Sequence, residues 1–254
     1  MQPEVLEART LVEDAERVVV LTGAGISTDS GIPDFRGPKG VWTKNPEAEK
    51  LATLQHYVSD PEVRRRAWQA RLEHQAWTAE PNAGHHALVA LEQPDKLLAL
   101  LTQNVDGLHH AAGSDPTRIV EVHGTMREVQ CLDCGDRGPM ERALERVRAG
   151  EADPPCASCG GMLKSATISF GQSLVEADLR RAERAALTCD LMLAVGSTLA
   201  VTPICQVVPI AHQAGARVLI VNAEPTQYDD LAEIVVHESI SDVLPVITGA
   251  ADAS

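Results

Sequence analysis

Val18-Val19-Val20-Leu21-Thr22-Gly23-Ala24-Gly25 decides how the rest of this chain is read. Four consecutive apolar residues, then two glycines one residue apart, predict a short strand buried on both faces that ends in a tight turn. A strand apolar on both faces belongs to a parallel sheet with helices on each side. Similar runs recur at 97–101, 119–122, 191–195 and 218–221, separated by helical spacing at 4–17, 85–91, 177–186 and 203–214. The alternation predicts an α/β fold built on a Rossmann-like parallel sheet.

Two stretches break that rhythm. The first, 37–82, is rich in charge, proline and tryptophan and holds a helical run at 61–75 without a sheet-like strand. The second, 126–164, carries two Cys-x-x-Cys pairs and a charged helix at 140–150. Both read as insertions that pack together as a smaller zinc-binding and helical domain. The expected division is therefore 1–36, 83–125 and 165–254 for the sheet domain, and 37–82 with 126–164 for the small one. Residues 249–254 form a small polar tail, expected to fray.

Composition narrows the class. Of 254 residues, 44% are apolar and 23% charged, which is ordinary globular usage and excludes a disordered or collagen-like chain. The 22 Lys+Arg against 36 Asp+Glu leave a formal charge of −14, a field that repels nucleic acid and anionic membrane. No apolar run approaches the roughly 20 residues that span a bilayer. Met1-Gln2-Pro3-Glu4 lacks the basic start of a signal peptide, so the expected compartment is the cytoplasm.

In a reducing compartment cysteines serve metals or catalysis rather than disulfides. Cys131 and Cys134 form one knuckle, Cys156 and Cys159 another, with 21 residues between the knuckles. Two knuckles supply the four thiolates of a tetrahedral zinc ribbon. Four protein ligands close the coordination sphere, so the expected zinc is structural. Cys189 and Cys205 stand alone in apolar surroundings.

Three further features point to chemistry. Gly23-x-Gly25 after a strand is half of a dinucleotide fingerprint, since glycine lets a pyrophosphate approach the backbone; the third glycine position holds Thr28, and an ordinary turn reads equally well. Thr102-Gln103-Asn104-Val105-Asp106-Gly107-Leu108-His109 sits at a predicted strand's carboxyl end, where open α/β sheets gather ligand groups. His123 follows another such strand, a position suited to a general base. His85, His86, His109 and His110 have no metal spacing and are read mostly as solvated.

Taken in order, Gly23-Ala24-Gly25-Ile26-Ser27, Gly31-Ile32-Pro33-Asp34-Phe35-Arg36, the 102–109 segment, His123-Gly124, the two knuckles, Ile168-Ser169-Phe170-Gly171, Gly196-Ser197-Thr198 and Val221-Asn222 resemble the successive signatures of the sirtuins. The resemblance runs from about Glu4 to Pro245. It implies an NAD-dependent protein lysine deacylase, with acetyl the expected acyl group and acyl-lysine proteins as substrates. In that family the acyl oxygen displaces nicotinamide from the ribose, a histidine activates a ribose hydroxyl against the resulting imidate, and water releases lysine and O-acyl-ADP-ribose.

The resemblance places His123 as that base and Asn104 as the residue orienting water and the nicotinamide ribose. It gives Gln103 a ribose hydroxyl, Asp106 the nicotinamide amide, and Phe35 the sugar's reactive face. Asp34 and Arg36 would order the cofactor loop; Gly23, Ala24 and Gly25 would face the pyrophosphate; Ser197 and Asn222 would hold the adenosine half, with Gly196 in the same nucleotide-binding segment. Ile168, Phe170 and Gly171 would take the substrate backbone as an added strand. Trp68 and Arg71 fall where desuccinylating members carry Tyr-x-x-Arg; the indole lacks the phenol's oxygen, so one of two anchors for an acidic acyl group is missing. The segment also departs from the family at Ser165, where proline is usual, at Gln172, where glutamate is, and at Glu238-Ser239, where glycine is common. Mono-ADP-ribosyl transfer to protein and a non-enzymatic zinc scaffold are the competing readings; an intact His123 favours deacylation over both.

Overall fold

The computed structural model describes residues 2–37, 40–93 and 95–253. Met1, Pro38, Lys39, Pro94 and Ser254 lie outside the described residues, and with them the outer ends of the expected sheet domain, two positions of the first insertion and the last residue of the tail. The chain opens with α1 (Pro3–Asp14) and β1 (Val18–Thr22), then α2 (Val41–Lys44), α3 (Leu54–Ser59), α4 (Pro61–Leu72) and α5 (Ala83–Ala90). Next come β2 (Leu97–Thr102), α6 (Leu108–Ala111), β3 (Ile119–Glu121), β4 (Gly124–Cys131), β5 (Arg137–Pro139), α7 (Met140–Arg148) and β6 (Leu163–Thr167). It closes with α8 (Glu176–Thr188), β7 (Leu191–Val195), α9 (Val207–Gln213), β8 (Arg217–Val221), β9 (Ile234–Val236) and α10 (Ile240–Ile247).

Six strands form one parallel sheet in the order β3-β2-β1-β7-β8-β9. Every residue of β1 is buried, and successive residues face opposite layers. Val18 and Val20 join a core under α1, α5 and α10, whereas Val19 and Leu21 join one under α8 and α9. The β8 and β9 pairing adds a three-residue edge strand that the sequence pattern is too short to signal.

The strand order reverses between β1 and β7. Chain connections leave the sheet in opposite directions there, opening a crevice at the carboxyl ends of both strands. Gly23 after β1 and Gly196 after β7 meet in it: Gly23 N–H donates to Val195 O at 3.0 Å and Gly25 N–H to Gly196 O at 2.8 Å. A Cβ on Gly23 would lie 2.7 Å from Gly196 O, and one on Gly25 2.7 Å from Gly196 Cα. Only glycine permits that approach.

The small module is an antiparallel sheet, β5-β4-β6, packed against α4 and α7. Its core holds Trp68, Val129, Met140, Ala143, Leu144 and Leu163. β4 begins at Gly124 and β6 ends at Thr167, so both strands reach across the borders drawn at 125/126 and 164/165. These two strands carry the module's chain directly into the crevice. Beyond α10, residues 250–253 form a 3-10 turn, and Ala250 packs on the core beneath α10. No helix among the described residues is long and apolar enough to cross a membrane.

Candidate active site

The loop after β2 supplies the centre of the crevice. Asn104 and Asp106 are both buried, although they are polar, and both are held by side-chain hydrogen bonds. Asn104 Nδ2 donates to Gly23 O and to Ser27 Oγ, each at 3.1 Å. Ser27 Oγ donates in turn to Asp106 Oδ2 at 2.8 Å, and Asp106 Oδ1 accepts from Leu108 N–H at 2.9 Å. Arg127 of β4 donates to Asp106 O and Ala76 O, tying the loop to the small module. Ser27 thus bridges two residues singled out from sequence. Its place four residues past Gly23 on the first helical turn is the signal that could have found it.

Gln103 reaches the other half of the crevice. Its Oε1 accepts from Ser197 Oγ at 2.8 Å, while its Nε2 is buried and has no hydrogen-bond partner among the described residues. Asn222 lies at the carboxyl end of β8, where its Nδ2 donates to Glu224 O at 2.6 Å, and Gly196 N–H donates to Val221 O alongside it. A glycine cradle between two strand ends and an orphaned amide donor on Gln103 match a dinucleotide, which brings a pyrophosphate and ribose hydroxyls.

His123 stands just past β3. Its Nδ1 lies 3.0 Å from Gln103 O. A carbonyl only accepts, so Nδ1 carries the proton and Nε2 keeps its lone pair. Burial holds this imidazole below its ordinary pKa, the Gln103 hydrogen bond opposes that shift, and the charge of Arg36 adds to it. The outcome is a neutral base at neutral pH. His123 O accepts from Ile168 N–H at 2.7 Å, which brings the 168–171 segment beside it.

That segment is also held by residues 52–54. Phe170 N–H donates to Ala52 O and Phe170 O accepts from Leu54 N–H, a parallel bridge to Thr53. Gln172 Oε1 accepts from Ser169 N–H at 3.2 Å, so the residue replacing the family's glutamate caps the turn after Phe170. Gly171 sits at φ +82° within that turn. Trp42, which sequence reading passed over, stacks between Phe35 and Phe170 at centroid distances of 4.7 and 5.4 Å, with Arg36 over its ring at 4.8 Å. Asp34 accepts from Gly37 N–H at 2.8 Å and closes the same loop. Phe35 remains exposed.

Trp68 and Arg71 are brought together but stand apart from these groups. Trp68 is fully buried in the module core and its indole N–H finds no partner among the described residues. Arg71 lies 5.3 Å from the Trp68 ring and 5.5 Å from the Tyr57 ring. Its Nη2 donates to Ser165 Oγ at 2.9 Å and its buried Nη1 has no partner among the described residues. Ser165, the departure from proline, is thus the hydroxyl that binds this guanidinium.

The four cysteines of the knuckles converge. Their sulfurs all lie within 4.8 Å of one another, with Cys131 to Cys159 at 3.6 Å and Cys134 to Cys156 at 3.8 Å. Zinc–sulfur bonds of about 2.3 Å in a tetrahedron give sulfur–sulfur edges of about 3.8 Å, so the cluster fits one zinc ion. N–H groups of Asp133, Cys134 and Gly161 point at the sulfurs, as thiolates require.

Two histidines read as solvated are not. His85 is 0% and His109 2% exposed, whereas His86 and His110 face solvent. Helical geometry turns neighbouring residues about 100° apart, so the two histidines of a pair can take different environments, and here one of each pair faces inward.

A parallel sheet with its crevice at the β1/β7 reversal, and a closed thiolate site beside it, define an α/β dinucleotide-binding protein with a structural metal module. Known proteins narrow that class. The Sir2 family model matches residues 23–203, and the chain belongs to that family. It is 50% identical over 230 residues to NAD-dependent protein deacetylase 2 of Streptomyces coelicolor, covering 91% of this chain and 95% of that one. NAD-dependent protein deacylase 2 of Archaeoglobus fulgidus is 37% identical, covering 97% and 96%. Among solved structures, one described under the mechanism and regulation of Sir2 enzymes superposes with a TM-score of 0.89 at 36% identity, covering 100% of this chain and 99% of the other. A Sir2 complex with a p53 peptide and NAD⁺ gives 0.87 at 30% identity, covering both chains fully.

Proposed function

We propose that this chain is an NAD-dependent protein lysine deacylase, acting first on acetyl-lysine in proteins and releasing nicotinamide and O-acyl-ADP-ribose. The observation that carries the reading is the tautomer of His123: a neutral imidazole, Nδ1–H pinned on Gln103 O, with Nε2 free to accept a proton. When bound, NAD supplies an electrophilic ribose carbon with nicotinamide as leaving group. The chain's own residues position, shield and move protons around it.

Gly23, Ala24, Gly25 and Gly196 offer backbone to the pyrophosphate, and Ser197 and Asn222 hold the adenosine half. The free Nε2–H₂ of Gln103 suits a ribose hydroxyl. Asn104 and Asp106, preset by Ser27, orient the nicotinamide ribose and the carboxamide. Asp34, Phe35 and Arg36 order the loop that covers the sugar, with Trp42 locking it against Phe170. His123 Nε2 takes a hydroxyl proton once nicotinamide has left. Ile168, Phe170 and Gly171 receive the peptide backbone along the edge not taken by residues 52–54.

The division into a sheet domain at 1–36, 83–125 and 165–254 and a small domain at 37–82 and 126–164 goes with this: one holds the nucleotide, the other frames the peptide. Zinc on Cys131, Cys134, Cys156 and Cys159 holds the small domain's sheet and takes no chemical part. The thiolate cluster suits a reducing compartment, which supports the cytoplasm. Arg71 and Trp68 are proposed to tune acyl choice from behind β6, through Ser165, with small neutral acyl groups preferred.

The test is His123→Ala assayed with NAD and an acetyl-lysine peptide. Deacylation should fall by about two to four orders of magnitude, while nicotinamide exchange, which precedes the base step, survives better. Equal loss of both activities would remove His123 from the proposed role.

A further inference from the structure

His85 and His109 bury two imidazoles that no step above uses, with ring centroids 5.0 Å apart beneath the crevice. Their hydrogen bonds settle where each proton sits. Asn82 N–H donates to His85 Nδ1 at 3.3 Å, so that nitrogen is an acceptor and a neutral ring carries its proton on Nε2. Thr22 Oγ1 spends its own proton on Thr102 Oγ1 at 2.9 Å. His109 Nε2, 2.9 Å from the same Thr22 oxygen, is therefore the donor there, and His109 Nδ1 is left as an acceptor. Among the described residues, His85 Nε2, a donor, and His109 Nδ1, an acceptor, are left without a hydrogen-bond partner on neighbouring rings. The two rings make no direct hydrogen bond among the described residues, and in the relay inferred below one water joins this buried donor to this buried acceptor.

The chain of bonds does not end at Thr102. Thr102 Oγ1 also accepts from Asn104 N–H at 3.1 Å. At the other end Asn82 caps α5 through Oδ1 and ties it to the turn after β1, its Nδ2 donating to Ile26 O and Ser30 Oγ. His85, His109, Thr22, Thr102 and Asn104 are all buried. Thr22 and Thr102 face each other in register on adjacent strands.

We infer that His85 and His109 are positioning residues: a buried relay, Asn82 to His85 to His109 to Thr22 to Thr102, that sets the backbone of Asn104 and so aims its side chain in the crevice. Desolvation keeps both rings neutral, with pKa values pushed down to about 4 for His85 and about 3 for His109, so the donor and acceptor pattern persists through the neutral range. Misplacing a positioning group by about 1 Å is enough to cost about 10²-fold in rate.

The inference rests on the deacylase reading for its kinetic arm, and wild-type NAD cleavage is measured first. The variants are Thr22→Val, His109→Leu, the two combined, and His109→Gln, which restores a donor toward Thr22. Nicotinamide release at saturating acetyl peptide should fall about 10- to 100-fold in Thr22→Val and in His109→Leu, with the peptide KM unchanged. The double variant should lose no more than the worse single one, because both cut the same relay. His109→Gln should recover most of the rate. Losses that multiply, or Thr22→Val turning over at the wild-type rate, would overturn the relay; Thr22→Val and His109→Gln decide it even where leucine prevents folding. A second arm needs no activity: histidine ¹⁵N spectra of the wild type at pH 7 should show both rings neutral and protonated on Nε2. An Nδ1–H or doubly protonated ring at either position would contradict the assignment.

Discussion

The sheet domain and the zinc module solve the same stability problem from opposite ends. The sheet buries two full apolar layers, one on each face, and can therefore hold Asn104, Asp106, His85 and His109 in its interior as long as their hydrogen bonds are made. The module has a far smaller core, gathered around Trp68 and Met140, and depends on four thiolates at its far end. Damage to one region should therefore read out as lost chemistry, and damage to the other as lost fold.

Zinc gives the largest separation. Cys131→Ser or Cys156→Ser removes a ligand from a closed tetrahedral site whose binding is worth on the order of 10 kcal/mol in isolated zinc modules. Metal content should drop from one zinc per chain, with the β5-β4-β6 sheet unfolded, as seen by metal analysis and by proteolysis within 124–167. A metal-free, folded and active enzyme would erase the contrast. Next comes His123→Ala, which should leave zinc content and thermal unfolding near wild type while deacylation falls by about two to four orders of magnitude.

Acid sharpens the comparison on the sheet side. His85 and His109 titrate near 6.5 when unfolded and at about 4 and about 3 when folded, so the unfolded chain binds more protons in between. Their contribution is fully present above pH 6.5 and is lost as pH falls towards 3, on the order of 3 kcal/mol for His85 and on the order of 5 kcal/mol for His109. Urea unfolding at stepped pH should show the slope, and the His85→Gln/His109→Gln double variant should flatten it between pH 6.5 and 4. An unchanged slope would mean that the buried rings do not govern it.

How much of this was legible depended on the kind of signal. β1, β2, β7 and β8 read directly as continuous apolar runs, and the two knuckles by their spacing. β4 did not, because Arg127, Glu128 and Gln130 interrupt its alternation, although in the folded chain β4 is the central strand between β5 and β6 and each of its residues is buried or half-buried. The inward members of the His85-His86 and His109-His110 pairs carry no mark in the sequence, since helix phase relative to the sheet is a tertiary fact. For Trp68, motif position points at the acyl chain, and packing sets its ring in the module core with Val129, Met140 and Leu144, a placement that no spacing in the sequence marks.

The smallest expected effect lies where the two regions touch. Arg71 meets Ser165 on β6, so Arg71→Met should raise the ratio of acetyl to succinyl kcat/KM on one peptide by about one to two decades, the worth of a hydrogen bond to a charged group. A ratio that stays put would confine Arg71 to packing.

The deacylase reading itself is tested most directly by mass spectrometry of one acetyl-lysine peptide incubated with the zinc-loaded protein, with and without NAD. The proposed chemistry requires one nicotinamide and one O-acetyl-ADP-ribose for each lysine freed, and no turnover without NAD. Free acetate released in the absence of NAD, or ADP-ribose attached to protein in place of deacetylated peptide, would contradict it.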